Sequence, residues 1–305
     1  MRLDGIHHIS CITGDAPANL AFYTGVLGLR LVAKTVNQDD PSVYHLFYAD
    51  EAGSPGADLT FFEYPGALRG RAGAGMVYRI SLRVGSYQSL DFWDRRLSSA
   101  AVMTTRHEDR LRFEDPEGLG LELVAISGGD APLTAHHPEI PAEHALQGFD
   151  SVRAFGGRLA STRRLLEDVM GAVRREEFHW ELSGPLRHGS IAYDAPPDLG
   201  GRSGAGTVHH VAWATEPGDH EAWLDRLHRG GVPSTPIIDR YYFRSIYFRE
   251  PSGVLFELAT KGPGFTVDLP LERLGRELVL PPLLAGRRAE IESHLTPLPD
   301  PRDGW

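Results

Sequence analysis

The sequence predicts an α+β protein built from four βαβββ modules in two tandem pairs. Three observations carry this prediction. The segment RAGAGMVYRI (71–80) returns as RSGAGTVHHV (202–211), and FWDRRL (92–97) returns as WLDRLH (223–228). In the same order, FEDPEGLGLELVAI (113–126) returns as FREPSGVLFELATK (248–261). A weaker match links GIHHIS (5–10) with GFDSVR (148–153). Several matches in one order indicate duplication, and repeats decide architecture before any single element does. A small drift in their spacing implies a short insertion in a connecting loop.

Modules are expected at about 5–66, 75–127, 147–196 and 206–262. Each opens on a short apolar strand, such as Gly5–Thr13 or Thr207–Ala214. A helix follows: in APANLAFYTGVLG (16–28), Leu20, Tyr23 and Leu27 recur at helical spacing. Strands rich in β-branched and aromatic residues come next, as in VYHLFYA (43–49) and DLTFFEY (58–64). Asp239–Phe248 and Gly253–Ala259 read as a hairpin across the turn signal EPSG. The RAGAG and GRSGAG stretches precede strands, whereas a phosphate cradle must end at a helix N-terminus, so they read as flexible lead-ins. The Pro- and Gly-rich linker 128–144 separates the halves. The domains are therefore placed at 1–130 and 145–265, with a tail over 266–305. That tail holds one helix, Ala285–His294, expected to cover a face of a sheet.

The 305 residues suit two domains at roughly 150 residues each. A formal charge of −10 argues against a nucleic-acid backbone as partner. No apolar run approaches the ~20 residues that span a bilayer, so no membrane partner is expected. The N-terminus lacks a signal-peptide pattern, and the single Cys11 fits a reducing, cytoplasmic setting. Fourteen His residues against one Cys are the first chemical hint.

Two His-His pairs stand at equivalent places, His7-His8 in the first strand and His209-His210 in the first strand of module four. Strand side chains alternate, so one His of each pair can face a shared cavity. Glu257 lies in the apolar strand GVLFELAT, where an ionised carboxylate is costly unless paired or bound to metal. Two His and one carboxylate form a facial triad with open positions, the ligand set of non-haem Fe(II) oxygenases.

The modules, with GIHHIS, VHHVAW and GVLFELAT, resemble the vicinal oxygen chelate (glyoxalase, bleomycin resistance and extradiol dioxygenase) superfamily. The stretches YHLFYADEAGSPGADLTFFEYPG, EHALQGF and DRYYFRSIYFREPSGVLFELATKGPGF resemble its hydroquinone ring-cleaving dioxygenases. The resemblance implies two domains with cupped mixed sheets and Fe(II), or Mn(II), held by His8, His210 and Glu257. It implies an aromatic substrate and O2, with ring opening beside a metal-bound hydroxyl. By the same resemblance His7, His209, Arg240 and Tyr247 take catalytic roles, and Ser10, Arg240 and Tyr247 contact substrate. Ser10 stands where the chlorohydroquinone enzymes tend to carry Thr. Strict alternation would turn His7 and His209 away from the metal face unless a bulge re-aims them. Self-association into a homo-oligomer is compatible with this reading.

The repeat acts as an internal control. Positions equivalent to His8, His210 and Glu257 hold Ser151, Arg79 and Glu122, so one metal site is expected, with Arg79 and Glu122 forming an ion pair in the other half. Two further classes compete. A glyoxalase-like isomerase or thiol transferase would need a fourth ligand, for which Glu63 is a candidate; a small-molecule sequestration protein would lack the metal.

Overall fold

The structure is a computed structural model and describes residues 1–303. Module one comprises β1 (Ile6–Thr13), α1 (Ala16–Leu20, widening to a π-helical turn over Ala21–Val26), β2 (Arg30–Val36), β3 (Tyr44–Ala49) and β4 (Asp58–Glu63). Module two comprises β5 (Val77–Val84), α2 (Tyr87–Ser99), β6 (Thr104–Arg106), β7 (Arg110–Glu114) and β8 (Gly120–Ala125). Module three comprises β9 (Phe149–Phe155), α3 (Leu159–Arg164, π-helical over Leu165–Met170), β10 (Val173–Glu176), β11 (His179–Ser183) and β12 (His188–Asp194). Module four comprises β13 (Thr207–Thr215), α4 (His220–Arg229), β14 (Ile238–Asp239), β15 (Arg244–Arg249) and β16 (Leu255–Thr260). The βαβββ order therefore holds in all four.

Two helices, α1 and α2, start where a side chain satisfies a free N–H group. Asp15 accepts from Ala18 N ahead of Pro17 in α1, and Ser86 accepts from Ser89 N in α2. Their apolar stripes explain their orientation. Leu20, Tyr23 and Leu27 are buried, as are Leu90, Trp93 and Leu97, against the inner rows of the sheets.

Each eight-stranded mixed sheet takes one module from each half of the chain. Modules one and four form the order β14-β15-β16-β13-β1-β4-β3-β2, and modules two and three form β10-β11-β12-β9-β5-β8-β7-β6. The first strands of the modules meet antiparallel at the centres, β1 with β13 and β5 with β9. The two Gly-rich lead-ins cross at this junction. Arg71 and Arg202 exchange backbone hydrogen bonds of 2.8 Å, and a Cβ on Gly73 would lie 2.2 Å from Gly201 N. Glycine is needed here because two backbones touch, a role beyond flexibility.

The tail's helical segment begins with a 3-10 turn, Pro282–Arg287, and becomes α-helical only over Arg288–Glu292 (α5), shorter than the expected Ala285–His294. It follows an edge rather than simply a face. Val279 N donates to Lys34 O, Lys34 Nζ to Leu298 O and Tyr44 OH to Thr296 O, which covers the free side of β2. Leu284, Ile291 and Leu295 then join the main hydrophobic cluster. Arg302 closes the strap with a two-pronged contact to Glu51 at 2.6 and 2.9 Å. Among the described residues no helix is long and apolar enough to cross a membrane.

Candidate metal centre

The site grows from an irregularity in the β1–β13 pairing. Register partners pass from Ile6/Trp213 to His8/Ala212, and from Ser10/His210 to Cys11/Val208. His7 and His209 are each the extra residue of a β-bulge, and a bulge bends the strand and re-aims side chains. Both members of each pair can thus serve one site, which strict alternation forbids. β16 lies parallel to β13 on its other side and places Glu257 opposite Ala212.

His8, His210 and Glu257 each offer a ligand atom to one buried point, all within 4.8 Å of one another. His8 Nε2 lies 3.2 Å from His210 Nε2 and 3.2 Å from Glu257 Oε2, and His210 Nε2 lies 2.9 Å from the same oxygen. All three residues are buried. These contacts are short, yet Glu257 Oε2 receives no properly directed hydrogen bond. A buried carboxylate oxygen without a donor is costly, and three atoms aimed at one point satisfy a cation better than one another. The donor set of two imidazoles and one carboxylate fits a divalent transition metal. Glu257 Oε1 accepts from Ser245 Oγ, which orients the carboxylate. Burial would raise the Glu257 carboxyl, but His8 and His210 override it and hold it well below the usual carboxylate range.

The neighbouring imidazoles fix the tautomers. His7 Nε2 must donate to the carbonyl of Thr260 at 3.1 Å, since a carbonyl only accepts. Burial and the adjacent His8 push the His7 pKa down to about 3, so the ring is neutral and its Nδ1 carries a lone pair. That lone pair faces His8 Nδ1 at 3.0 Å, so His8 Nδ1 carries the proton and His8 Nε2 is bare. A metal requires that form. His210 Nδ1 meets His209 Nδ1 at 2.7 Å in a parallel arrangement. Burial of its ring and the nearby His210 push His209 down to about 4, although the residue is exposed to the cavity.

Above this point opens a cavity of about 390 Å³. Phe47, Phe62 and Phe243 form its aromatic walls, and Ser10, His209, Arg240 and Tyr247 also line it, whereas His7 does not. Arg240 is held by Asp39 through contacts of 3.1 and 3.0 Å and lies over the Tyr247 ring at 5.5 Å. Burial, reinforced by Glu257, raises the Tyr247 hydroxyl and keeps it a phenol.

Sequence reading does not single out His45, which lines the cavity, or Thr60, which is buried behind Ser10. Thr60 receives or donates hydrogen bonds at 2.7 Å to Ser10 and 2.9 Å to His45, and His45 stacks between Phe47 and Phe62. Thr60 pairs with Ser10 as Glu257 pairs with Ala212, so it occupies the pseudo-symmetric counterpart of the carboxylate ligand. That symmetry was the available signal. Glu63, the candidate fourth ligand, instead accepts from Ala16 N at the start of α1.

The second sheet corrects one expectation. Glu122 pairs with Arg112 at 2.6 Å and Arg110 at 3.4 Å and accepts from Ser81, whereas Arg79 makes no ion pair among the described residues. The ladder gives the reason: Arg112 is the cross-strand neighbour of Glu122, while Arg79 stands opposite Gly120. Ser151 stands opposite Ser81, and no second metal-type cluster occurs among the described residues.

With two such sheets and a single convergent triad, the chain belongs to the Glyoxalase/Bleomycin resistance protein/Dioxygenase superfamily, whose profile matches residues 5–123 and 148–258. It is similar along its whole length to a Bacillus subtilis (strain 168) protein named "Putative ring-cleaving dioxygenase MhqA", at 39% identity over 98% of this chain and 100% of that one. It is also similar to the "Chlorohydroquinone/hydroquinone 1,2-dioxygenase" of Sphingobium indicum, at 32% identity over 95% of both. A solved structure described as a "putative dioxygenase" from Bacillus subtilis matches with a TM-score of 0.90 and 37% identity, over 98% of each chain.

Proposed function

We propose that the chain is a non-haem Fe(II) dioxygenase that opens hydroquinone- or catechol-like rings. The observation that carries this reading is the convergence of His8, His210 and Glu257 on one point at the floor of an aromatic-walled cavity. Three protein ligands leave positions free on an octahedral ion. Full-length relatives named as ring-cleaving and hydroquinone dioxygenases support it. When bound, Fe(II) would lower the pKa of a coordinated phenol and couple the ring's electrons to O2.

The chain's own residues do the remaining work. Phe47, Phe62 and Phe243 sandwich and exclude water from the ring. Arg240, fixed by Asp39, offers a positive charge to an oxygen that becomes anionic in the cavity. Tyr247 holds its proton, and His209 presents its second ring nitrogen to the cavity, so both can donate to a reacting oxygen. His7 acts through His8 by fixing its tautomer. Ser10, backed by Thr60 and His45, supplies a polar wall for a further ring substituent.

The test is anaerobic purification with Fe(II), elemental analysis, and oxygen uptake with a hydroquinone and catechol series. A single metal per chain and substrate-dependent uptake are expected. No uptake with any of these rings, or full turnover in Glu257→Ala, would sink the assignment.

A further inference from the structure

The second sheet keeps a cavity where the first holds its metal. Tyr78, Arg79, Thr105 and Arg112 line it and occupy the repeat positions of His209, His210, Arg240 and Tyr247. The volume is about 960 Å³, larger than that of the metal cavity. Its second wall is apolar, formed by Phe22, Val102, Met103 and Phe113.

The carboxylates that line this cavity are engaged elsewhere: Glu114 pairs with Arg69 at 2.8 Å, and Asp115 accepts from Tyr23 and from Glu117 N and Leu119 N. Glu122 is saturated by Ser81, Arg110 and Arg112. Arg112 spends only its Nε on that contact, and both its Nη groups are without hydrogen bonds among the described residues. Arg153 is neutralised by Asp194 and Arg110 by Asp109. Arg79 is half-buried with no carboxylate in ion-pairing range among the described residues, so its guanidinium is left unpaired. Its guanidinium is held in place, 5.2 Å over the Tyr78 ring. That ring in turn stacks on Phe155 at 4.2 Å, and its hydroxyl donates to Asp194. A pre-positioned, partly desolvated and unpaired guanidinium is an anion receptor rather than a structural ion pair.

We propose that this cavity binds a small organic carboxylate, its oxygens shared by Arg79 and Arg112 and its apolar body against the Phe22–Val102–Met103–Phe113 wall. A planar two-oxygen group matches guanidinium forks. One unpaired guanidinium beside the half-engaged Arg112 suits a monoanion over a phosphate dianion, and the apolar wall gives an inorganic ion nothing to cover.

Calorimetric titration of the metal-loaded protein with benzoate, and separately with inorganic phosphate, tests this. Arg79→Met and Arg79→Lys serve as variants, each checked by thermal melting. Benzoate is expected to bind at a site weakened about tenfold or more in Arg79→Met and less in Arg79→Lys, with inorganic phosphate much weaker. Benzoate bound in the metal cavity would be unaffected by Arg79→Met and drops out of the difference. Absence of benzoate binding, equal binding in wild type and Arg79→Met, or phosphate binding tighter than benzoate each overturns the proposal. Should Arg79→Met not fold, Arg79→Lys decides alone: affinity equal to wild type counts against it.

Discussion

Replacing His7 by Phe would separate the two jobs of the first His-His pair. The ring volume and the contact with Phe243, at 5.1 Å, are kept. What is lost is the acceptor for His8 Nδ1–H and the donor to Thr260 O. In the metal-free variant His8 can move its proton to Nε2, 3.2 Å from the Glu257 carboxylate, and so satisfy itself. Metal binding must then reverse that shift and leave a buried Nδ1–H without a partner, at about 1–3 kcal/mol. This corresponds to roughly 5- to 150-fold weaker metal binding, a range that includes the 10–100-fold losses found when partners behind metal-bound His are removed. Chelator competition under anaerobic conditions, with Mn(II) as an oxygen-stable probe, measures it. His209→Phe should cost less, under about tenfold, because its ring is open to the cavity and water can take the His210 proton. An unchanged dissociation constant in a fully folded His7→Phe protein would refute the tautomer chain.

Three other outcomes are expected. Hydrogen bonds from Arg302 hold the Glu51 carboxyl at about 2, so this stabilisation is complete above pH ~4.5 and fades as pH falls toward 2. Because Glu51 is 42% exposed, Arg302→Ala should cost only ~0.5–1 kcal/mol at pH 7, and its melting difference from wild type should shrink on acidification. Burial pushes Asp115 up to about 6 despite donors from Tyr23, Glu117 and Leu119. The folded state therefore binds this proton more tightly than the unfolded chain, and stability should fall from pH ~4 to ~6. Asp115→Asn should flatten that slope in melting experiments. Thr60→Glu places a carboxylate at the symmetric counterpart of Glu257; metal retention should rise while oxygen uptake drops at least about tenfold, because an open position is filled. Undiminished uptake there would show that Thr60 does not face the metal.

Much of this was legible because duplication turns one sequence into two readings of the same frame. The four modules and the lack of a matching triad in the other half follow from aligned positions, and the candidate ligands His8, His210 and Glu257 follow from those positions together with the family resemblance. The roles of His7 and His209 were obscured for a physical reason. Period-two alternation assumes an unbroken ladder, and a bulge at each of them breaks it. The partner of Glu122 was misplaced because equivalence between modules says which residues correspond, not which side chains touch; cross-strand register with Arg112 decides that. Thr60 and His45 lie within the family-like stretch 44–66, but no ligand spacing marks them; Ser10 on β1 and the Thr60–His45 contact between β4 and β3 show their place.

The pairing of module one with module four has a consequence for how the chain comes into being. The strand bearing His8 is among the first to be synthesised, yet the strands bearing His210 and Glu257 come near the end. During translation β1 and β5 must wait with bare edges until β13 and β9 arrive. Unpaired edges recruit other chains, so nascent protein would depend on protection during this interval. A ribosome-stalled or truncated N-terminal half should therefore be captured by chaperones or aggregate, and no such product contains all three of His8, His210 and Glu257.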